Sequence, residues 1–366
     1  MFETLSHFAL QQYWWIIISL LGAILVFMMF VQGGQTLLFS LGKTDKEKTL
    51  LINVLGSKWG LTFTTLVTFG GAFFASFPLF YSTSFGGAYW VWMIILLAFV
   101  LQAFGYEFHK KPNNLFGDRT YEIFLFINGL VGTVLIGTAV ATFFTGSPFS
   151  INSLFQSQWE TPWHGLELAL NVHNLTLGLT VFFLARTLGL LYFLLTVDNT
   201  DIEKRIHKQL YYNAIPFVVF FLTFVIWLFI RCGFAVNPET SEVFMMQHKY
   251  LINLLEMPLI LVFFLVGVLL VLFGIATSLL KINDKGIWFS ASGTILTVFS
   301  LFIIAGFNNT SYYPSYFDLQ SSLTIMNSSS SHFTLKVMSY ASLTVPFVIA
   351  YIWYAWRALT RGKMSL

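Results

Sequence analysis

Nine uninterrupted apolar runs, at 13–40, 61–81, 86–106, 120–144, 167–196, 212–234, 251–280, 287–306 and 335–357, constrain this chain more than any other feature. A helix needs about 20 apolar residues to cross roughly 30 Å of hydrocarbon. Inside lipid every backbone amide must be satisfied within its own segment, so the runs are expected to be helices. They are continuous rather than alternating, which excludes a transmembrane barrel. Composition agrees: 57% of residues are hydrophobic, 19% aromatic and only 10% charged, against about 25% charged in an ordinary soluble chain.

The charges exclude several functions. The net charge is only +3 and the basic residues sit in short loops, so no basic stripe could follow a phosphate backbone. The single cysteine, Cys232, excludes an intrachain disulfide and any Cys-rich metal or iron–sulfur site. The first apolar run lacks a preceding Lys or Arg and a small-residue cleavage site, and reads as a retained helix.

Basic residues alternate between loops. Lys43, Lys46, Lys48 and Lys58 lie in the first, Lys110, Lys111 and Arg119 in the third, Lys204, Arg205 and Lys208 in the fifth, Lys281 and Lys285 in the seventh, and Arg357, Arg361 and Lys363 in the tail. The intervening loops hold only Arg231, Lys249 and Lys336, all close to span ends. Because basic loops face the cytoplasm, an odd number of spans follows, with the N-terminus outside and the C-terminus inside. Gly71 with Ala75, Ala72 with Ser76, and Gly129 with Gly132 are expected to mark close helix contacts.

Ionisable residues inside a span are costly and become candidates by default. In the fifth run Glu167, Asn171, Asn174 and Gly178 recur at helical spacing as one polar face, with His173 beside it and Arg186 about two turns beyond Gly178. That face suits either a proton or ion path or a hydrogen-bonded contact with a neighbouring helix. Lys249, Asn253 and Glu256 form a second stripe, followed by Pro258, which suits an internal ion pair or a water-filled entry. Glu107 and His109 close the third run beside Lys110 and Lys111, as proton collectors or as a solvated cluster. Glu122 and Asn128 in the fourth run are of the same kind. A six-coordinate haem needs two axial ligands on facing helices; His173 alone among the histidines stands well inside a run. Phosphate-binding loops, nucleophile elbows and zinc-protease pairs are absent from the sequence.

The residues resemble one family along nearly the whole chain. Tyr13-Trp14-Trp15 leads into Gln32-Gly33-Gly34-Gln35 and a Lys-rich loop, and Asn53 to Pro78 ends Gly70-Gly71-Ala72-Phe73-Phe74-Ala75-Ser76-Phe77-Pro78. Gly105-Tyr106-Glu107-Phe108 closes the third run. Pro314, Ser322-Leu323-Thr324-Ile325, Ser328 to Ser331, Leu335, Met338, Val345-Pro346 and Tyr351 mark the last loop and helix. In this order they are similar to subunit II of cytochrome bd-type quinol oxidases.

The resemblance implies an all-α integral membrane fold of nine helices in one membrane domain over 1–366. A first four-helix bundle would span 13–144, a second 167–306, and a peripheral helix 335–357. It implies a partner, subunit I, that holds haem b, haem d and the quinol-oxidising loop, with a small accessory subunit as a further partner in a bacterial cytoplasmic membrane. This chain would bind no haem and no metal and carry no catalytic residue; it would complete the complex and help shape proton and oxygen access. The complex would oxidise membrane quinol and reduce dioxygen to water, drawing protons from the cytoplasm without pumping. Many relatives carry acids where Gln32, Gln35 and Gly60 stand here. Glu107, Glu122 and the polar face of the fifth run are then the substitute candidates for a proton route. A stand-alone secondary transporter and a structural subunit of another respiratory complex are the competing readings.

Overall fold

The apolar runs fold as helices, and where a run breaks, local residues supply the reason. The structure, a computed structural model, describes residues 2–112, 114–281, 284–359 and 363–365; Arg361 lies outside the described residues. Ser6 caps α1 (His7–Met28) by accepting the Ala9 amide, and the run continues as α2 (Phe30–Gln35) and α3 (Leu38–Leu41). Thr44 and Glu47 form a reciprocal capping box at α4 (Asp45–Gly56), and a turn at Ser57–Lys58 leads into α5 (Trp59–Ser76). Proline is favoured in a first helical turn, and Pro78 opens a short α6 (Pro78–Tyr81). α7 (Tyr89–Phe108) follows. α8 (Asp118–Ile127) joins α9 (Thr133–Thr145) through a π-turn at Asn128–Gly132.

The second half departs from expectation at two places. The fifth run breaks into α10 (Leu166–Ala169) and α11 (Val172–Thr196), because Asn171 leaves the helix and caps it, its side-chain oxygen accepting the amides of His173 and Asn174. Glu167 therefore does not share a continuous helical face with Asn174. The seventh run divides at Met257 into α13 (Lys249–Glu256) and α14 (Pro258–Leu279), with Pro258 in the first turn of the second helix, where its missing amide costs nothing. Between these lies α12 (Thr200–Ile230), and beyond them α15 (Gly286–Gly306). Two antiparallel hairpins, β1 (Phe149–Ile151) with β2 (Ser157–Trp159) and β3 (Cys232–Val236) with β4 (Val243–Gln247), cover one end of the molecule.

Eight helical stretches among the described residues are long and apolar enough to cross a membrane. The last run forms α16 (His332–Ala341) and α17 (Val345–Leu359), joined by a 3₁₀ turn, with helical parts of 10 and 15 residues. Aromatic residues of α17 are exposed, among them Phe347, Tyr351 and Trp353.

The basic loops gather at one end, called the basic end below. There Arg205 pairs with Glu47, Lys363 with Asp284, and Met364 exchanges backbone bonds with Thr196 and Asp198. The interior holds two large apolar clusters, with a small third one at Phe234, Val236 and Val243. One, around Trp15, Phe73, Phe143 and Tyr312, lies toward the hairpins. The other, around Phe30, Leu51, Leu188 and Phe217, lies toward the basic end.

Glycines set the closest approach. A Cβ on Gly33 would fall 2.0 Å from the Ala185 carbonyl, so α2 lies directly on the backbone of α11. Gly129 contributes as expected: a Cβ there would meet the Gln32 carbonyl at 2.3 Å. Gly71 does not, since nothing lies within 4 Å of its missing Cβ and it is exposed.

Candidate functional site

The turn Gln32-Gly33-Gly34-Gln35 explains how polar groups reach the interior. At about 100° per residue, residues 32 and 35–36 share one side of the helix and the two glycines turn to the other. The glycines press on α11, so Gln32 and Gln35 face away from it, toward α7 and the π-turn, while Thr36 stays within reach of Arg186 on α11. Gln35 Nε2 donates to the Tyr106 hydroxyl at 3.0 Å, and the Trp59 ring stacks on Tyr106 with centroids 5.6 Å apart.

From that bond the polar groups run in both directions. Toward the basic end, Lys48 Nζ lies 2.9 Å from Glu122 Oε2, and His109 Nε2 lies 3.6 Å from Glu122 Oε1, too far for a hydrogen bond. Glu122 and His109 are both buried. Burial, with Lys110 beside it, holds the His109 imidazole below its usual pKa. Inward, Gln32, Gln102 and Asn128 have no exposed surface, and neither polar atom of any of the three side chains has a partner within the protein. A buried polar atom left unpaired costs about 1–3 kcal/mol. Sideways, Thr36 accepts from Arg186 Nη1 at 2.9 Å, and Arg186 Nε donates to Asn213 Oδ1 at 2.5 Å.

Of the expected candidates, Glu122 thus belongs to the group with Lys48 and His109, and Arg186 to a separate one with Thr36 and Asn213. Glu107 stands apart, exposed and paired with Lys111. The others serve the opposite end. Glu167 accepts from the Thr161 hydroxyl and from the Gly165 amide at 3.1 Å, closing the loop before α10. Asn171 caps α11, and Asn174 ties it to α9, accepting from Thr145 at 2.7 Å and donating to the Leu168 carbonyl at 2.9 Å. The stripe in the seventh run forms no direct ion pair. Lys249 donates to the Asn308 carbonyl at 2.7 Å and Glu256 accepts from the Asn308 side chain, so Asn308 bridges them. Gln102, Lys48, Tyr106 and Asn213 are absent from the expected set. A signal existed for the third run: Gln102, Tyr106 and His109 recur at i, i+4, i+7 in an otherwise apolar segment.

His173 is buried against the Trp227 ring at 4.0 Å and the Phe224 ring at 5.0 Å. Its Nδ1 receives a bond from Arg231 Nη1 at 3.2 Å. A guanidinium only donates, so Nδ1 carries the lone pair and the proton sits on Nε2. That tautomer offers no Nε2 lone pair to iron, whereas an axial histidine has its Nδ1–H donating to an acceptor. His173 as placed does not fit a haem ligand. No group of three or more His, Cys, Asp or Glu that could hold a metal ion occurs among the described residues.

Comparisons with known proteins cover almost the whole chain. The family model for cytochrome bd terminal oxidase subunit II matches residues 10–359. The probable cytochrome oxidase subunit 2 of Haemophilus influenzae is 28% identical, over 93% of this chain and 92% of that protein. Subunit 2 of the cytochrome bd-I ubiquinol oxidase of Escherichia coli K12 is 26% identical, over 98% and 96%. Subunit 2 of the cytochrome bd ubiquinol oxidase of Bacillus subtilis is 28% identical, over 94% of each chain. A chain of the bd oxidase of Geobacillus thermodenitrificans shares the fold, with a TM-score of 0.61 at 13% identity over 95% of this chain and 97% of that one.

Proposed function

The chain belongs to the cytochrome bd terminal oxidase subunit II family, and from that membership we propose how it serves its complex. It is an integral membrane subunit of a haem-containing quinol oxidase, and its partner is subunit I. On our reading subunit I holds haems b and d and the site of quinol oxidation, and this chain holds none of the haems. The protonation of His173 supports that assignment, because its Nδ1 is already engaged by Arg231.

The basic end faces the cytoplasm on this reading, with the N-terminus outside, in agreement with the clustering of Lys and Arg in alternate loops. The residues act as one membrane domain of two four-helix groups, 13–144 and 167–306, with 335–357 peripheral. A small accessory subunit and lipid complete the assembly.

Protons for dioxygen reduction enter partly through this chain, beginning at Glu122. The observation that carries this is the Lys48–Glu122–His109 group at the basic end, with Glu122 and His109 buried and the Gln35–Tyr106 bond standing further inward as a separate contact. Glu122 is the carboxylate of that group, held 2.9 Å from the Lys48 ammonium. Glu107, outside and solvated, collects protons at the surface. Oxygen access has separate support. A cavity of about 150 Å³ lies among Val26, Gly137, Phe143, Leu184, Phe221 and Phe302, with almost no polar lining. Such a cavity stays dry and admits apolar molecules.

The test is the purified two-subunit complex carrying Glu122→Gln. Slower proton uptake and oxygen consumption with unchanged haem spectra are expected, and unchanged rates would sink the proton entry. A reduced-minus-oxidised spectrum of the separated chain checks the haem assignment, since haem bands remaining with it would overturn that reading.

A further inference from the structure

We propose that Gln32, Gln102 and Asn128 form a water-binding site inside the bundle, a layer of amides that holds a small cluster of ordered water. Their placement at one level follows from the contacts around them. The Gln35–Tyr106 bond sets the register of α2 against α7, and Gln32 and Gln102 each lie one turn further in from that bond. α7 and the fourth span run antiparallel. Gly132 faces the Phe99 ring, with 3.6 Å to a Cβ built on it, so Asn128, four residues before Gly132, comes to the level of Gln102, three residues after Phe99. Gly129 lies against the Gln32 carbonyl, which brings α2 to the same level. Asn128 lies six residues, about 9 Å at 1.5 Å per residue, deeper than Glu122.

All six polar atoms of these side chains are buried and unpartnered, and the outward oxygen of Gln35 is unpartnered as well. The π-turn at Asn128–Gly132 adds a local break in the helical ladder, a feature common at functional sites. The chemistry of the layer selects its occupant. Each amide presents an acceptor and a donor, so a ligand must both donate and accept. A metal cation would meet the amino groups and the Arg186 guanidinium, which bonds to Thr36 one turn from Gln32. An anion would meet the three carbonyl oxygens. Water satisfies both kinds of group, and buried water typically makes about three such bonds. The layer then continues the polar group of Glu122 and His109 inward, with Gln35–Tyr106 between them.

The role of these waters in carrying protons rests on the proposed entry at Glu122, but their presence does not. The first test is a density map of the intact two-subunit complex at a resolution that shows water. Discrete water peaks within hydrogen-bond distance of Gln32, Gln102 and Asn128 are expected. Amides bonded directly to one another with no density between them would overturn the site, as would a single peak with the short contacts of a bound ion. The second test compares the melting temperature of the complex with Gln102→Leu and with Gln102→Asn. Water in the layer predicts that leucine lowers it by several degrees, because evicted water leaves Gln32 and Asn128 unpaired, while asparagine lowers it less. A dry layer predicts the reverse, since leucine would then remove two unpaired atoms and raise the melting temperature. Unchanged rates in Glu122→Gln alongside clear water density would refute the entry and leave the site standing.

Discussion

Gln35 Nε2 and the Tyr106 hydroxyl meet at 3.0 Å, and that bond ties the first span to the third where polar groups turn inward from the basic end. Tyr106 is held from the other side by the stacked Trp59 ring. Tyr106→Phe keeps the ring and its stacking but removes the acceptor for Gln35, whose second side-chain atom is already unpartnered. A loss of about 1–2 kcal/mol is expected, read as a lower midpoint of thermal unfolding of the complex. An unchanged midpoint would mean that Gln35 finds another partner.

Lys48 and Glu122 are 74 positions apart in sequence and 2.9 Å apart in space. Removing one partner strands the other in a largely buried setting. Lys48→Met or Glu122→Gln alone should each cost on the order of 2 kcal/mol, below the roughly 3–5 kcal/mol of a fully buried pair, because Lys48 retains some exposure. The double substitution should cost less than the sum of the two. Additive losses in the double-mutant cycle would show that the pair contributes no coupling.

Gly33 and Gly71 make opposite predictions. Gly33→Ala places a methyl group 2.0 Å from the Ala185 carbonyl and must part α2 from α11, at a cost of about 3 kcal/mol or more. Gly71→Ala meets nothing within 4 Å and should be neutral or slightly stabilising. Yields and melting temperatures of the two complexes, measured side by side, separate them.

His109 gives the complex a pH dependence of definite sign. Burial and Lys110 hold its folded-state pKa below that of the unfolded chain. As pH falls through about 6.5 the unfolded chain takes up a proton that the folded one does not, so stability falls with falling pH and is unaffected above that value. His109→Gln should flatten the melting-temperature profile between about pH 7 and about pH 5. A profile equally steep in the variant would assign the slope to other groups.

His173→Ala should leave the haem bands of the complex intact, because its Nδ1 is occupied by Arg231. The loss of the tilted imidazole contact with Trp227 should appear as reduced stability. A missing haem band in well-folded complex would contradict the assignment of all haems to subunit I.

The sequence by itself determined that this chain crosses a membrane as helices, roughly where each begins and ends, and which loops share a side. These are local consequences of lipid, since each segment must satisfy its own backbone and each short loop carries its own charge. Local chemistry also foretold the kinds of residue at issue, Glu122 and Arg186 among them. Only the tertiary structure decided which residues meet. The face a span turns inward depends on packing against helices far away in sequence. Glycine contacts such as Gly33 on Ala185 fix the rotation of α2, and that rotation sends Gln32 and Gln35 toward α7. The same distance in sequence hid Lys48 from Glu122 and Arg186 from Asn213. It left Asn171 readable as part of a helical face, when its side chain caps the start of α11.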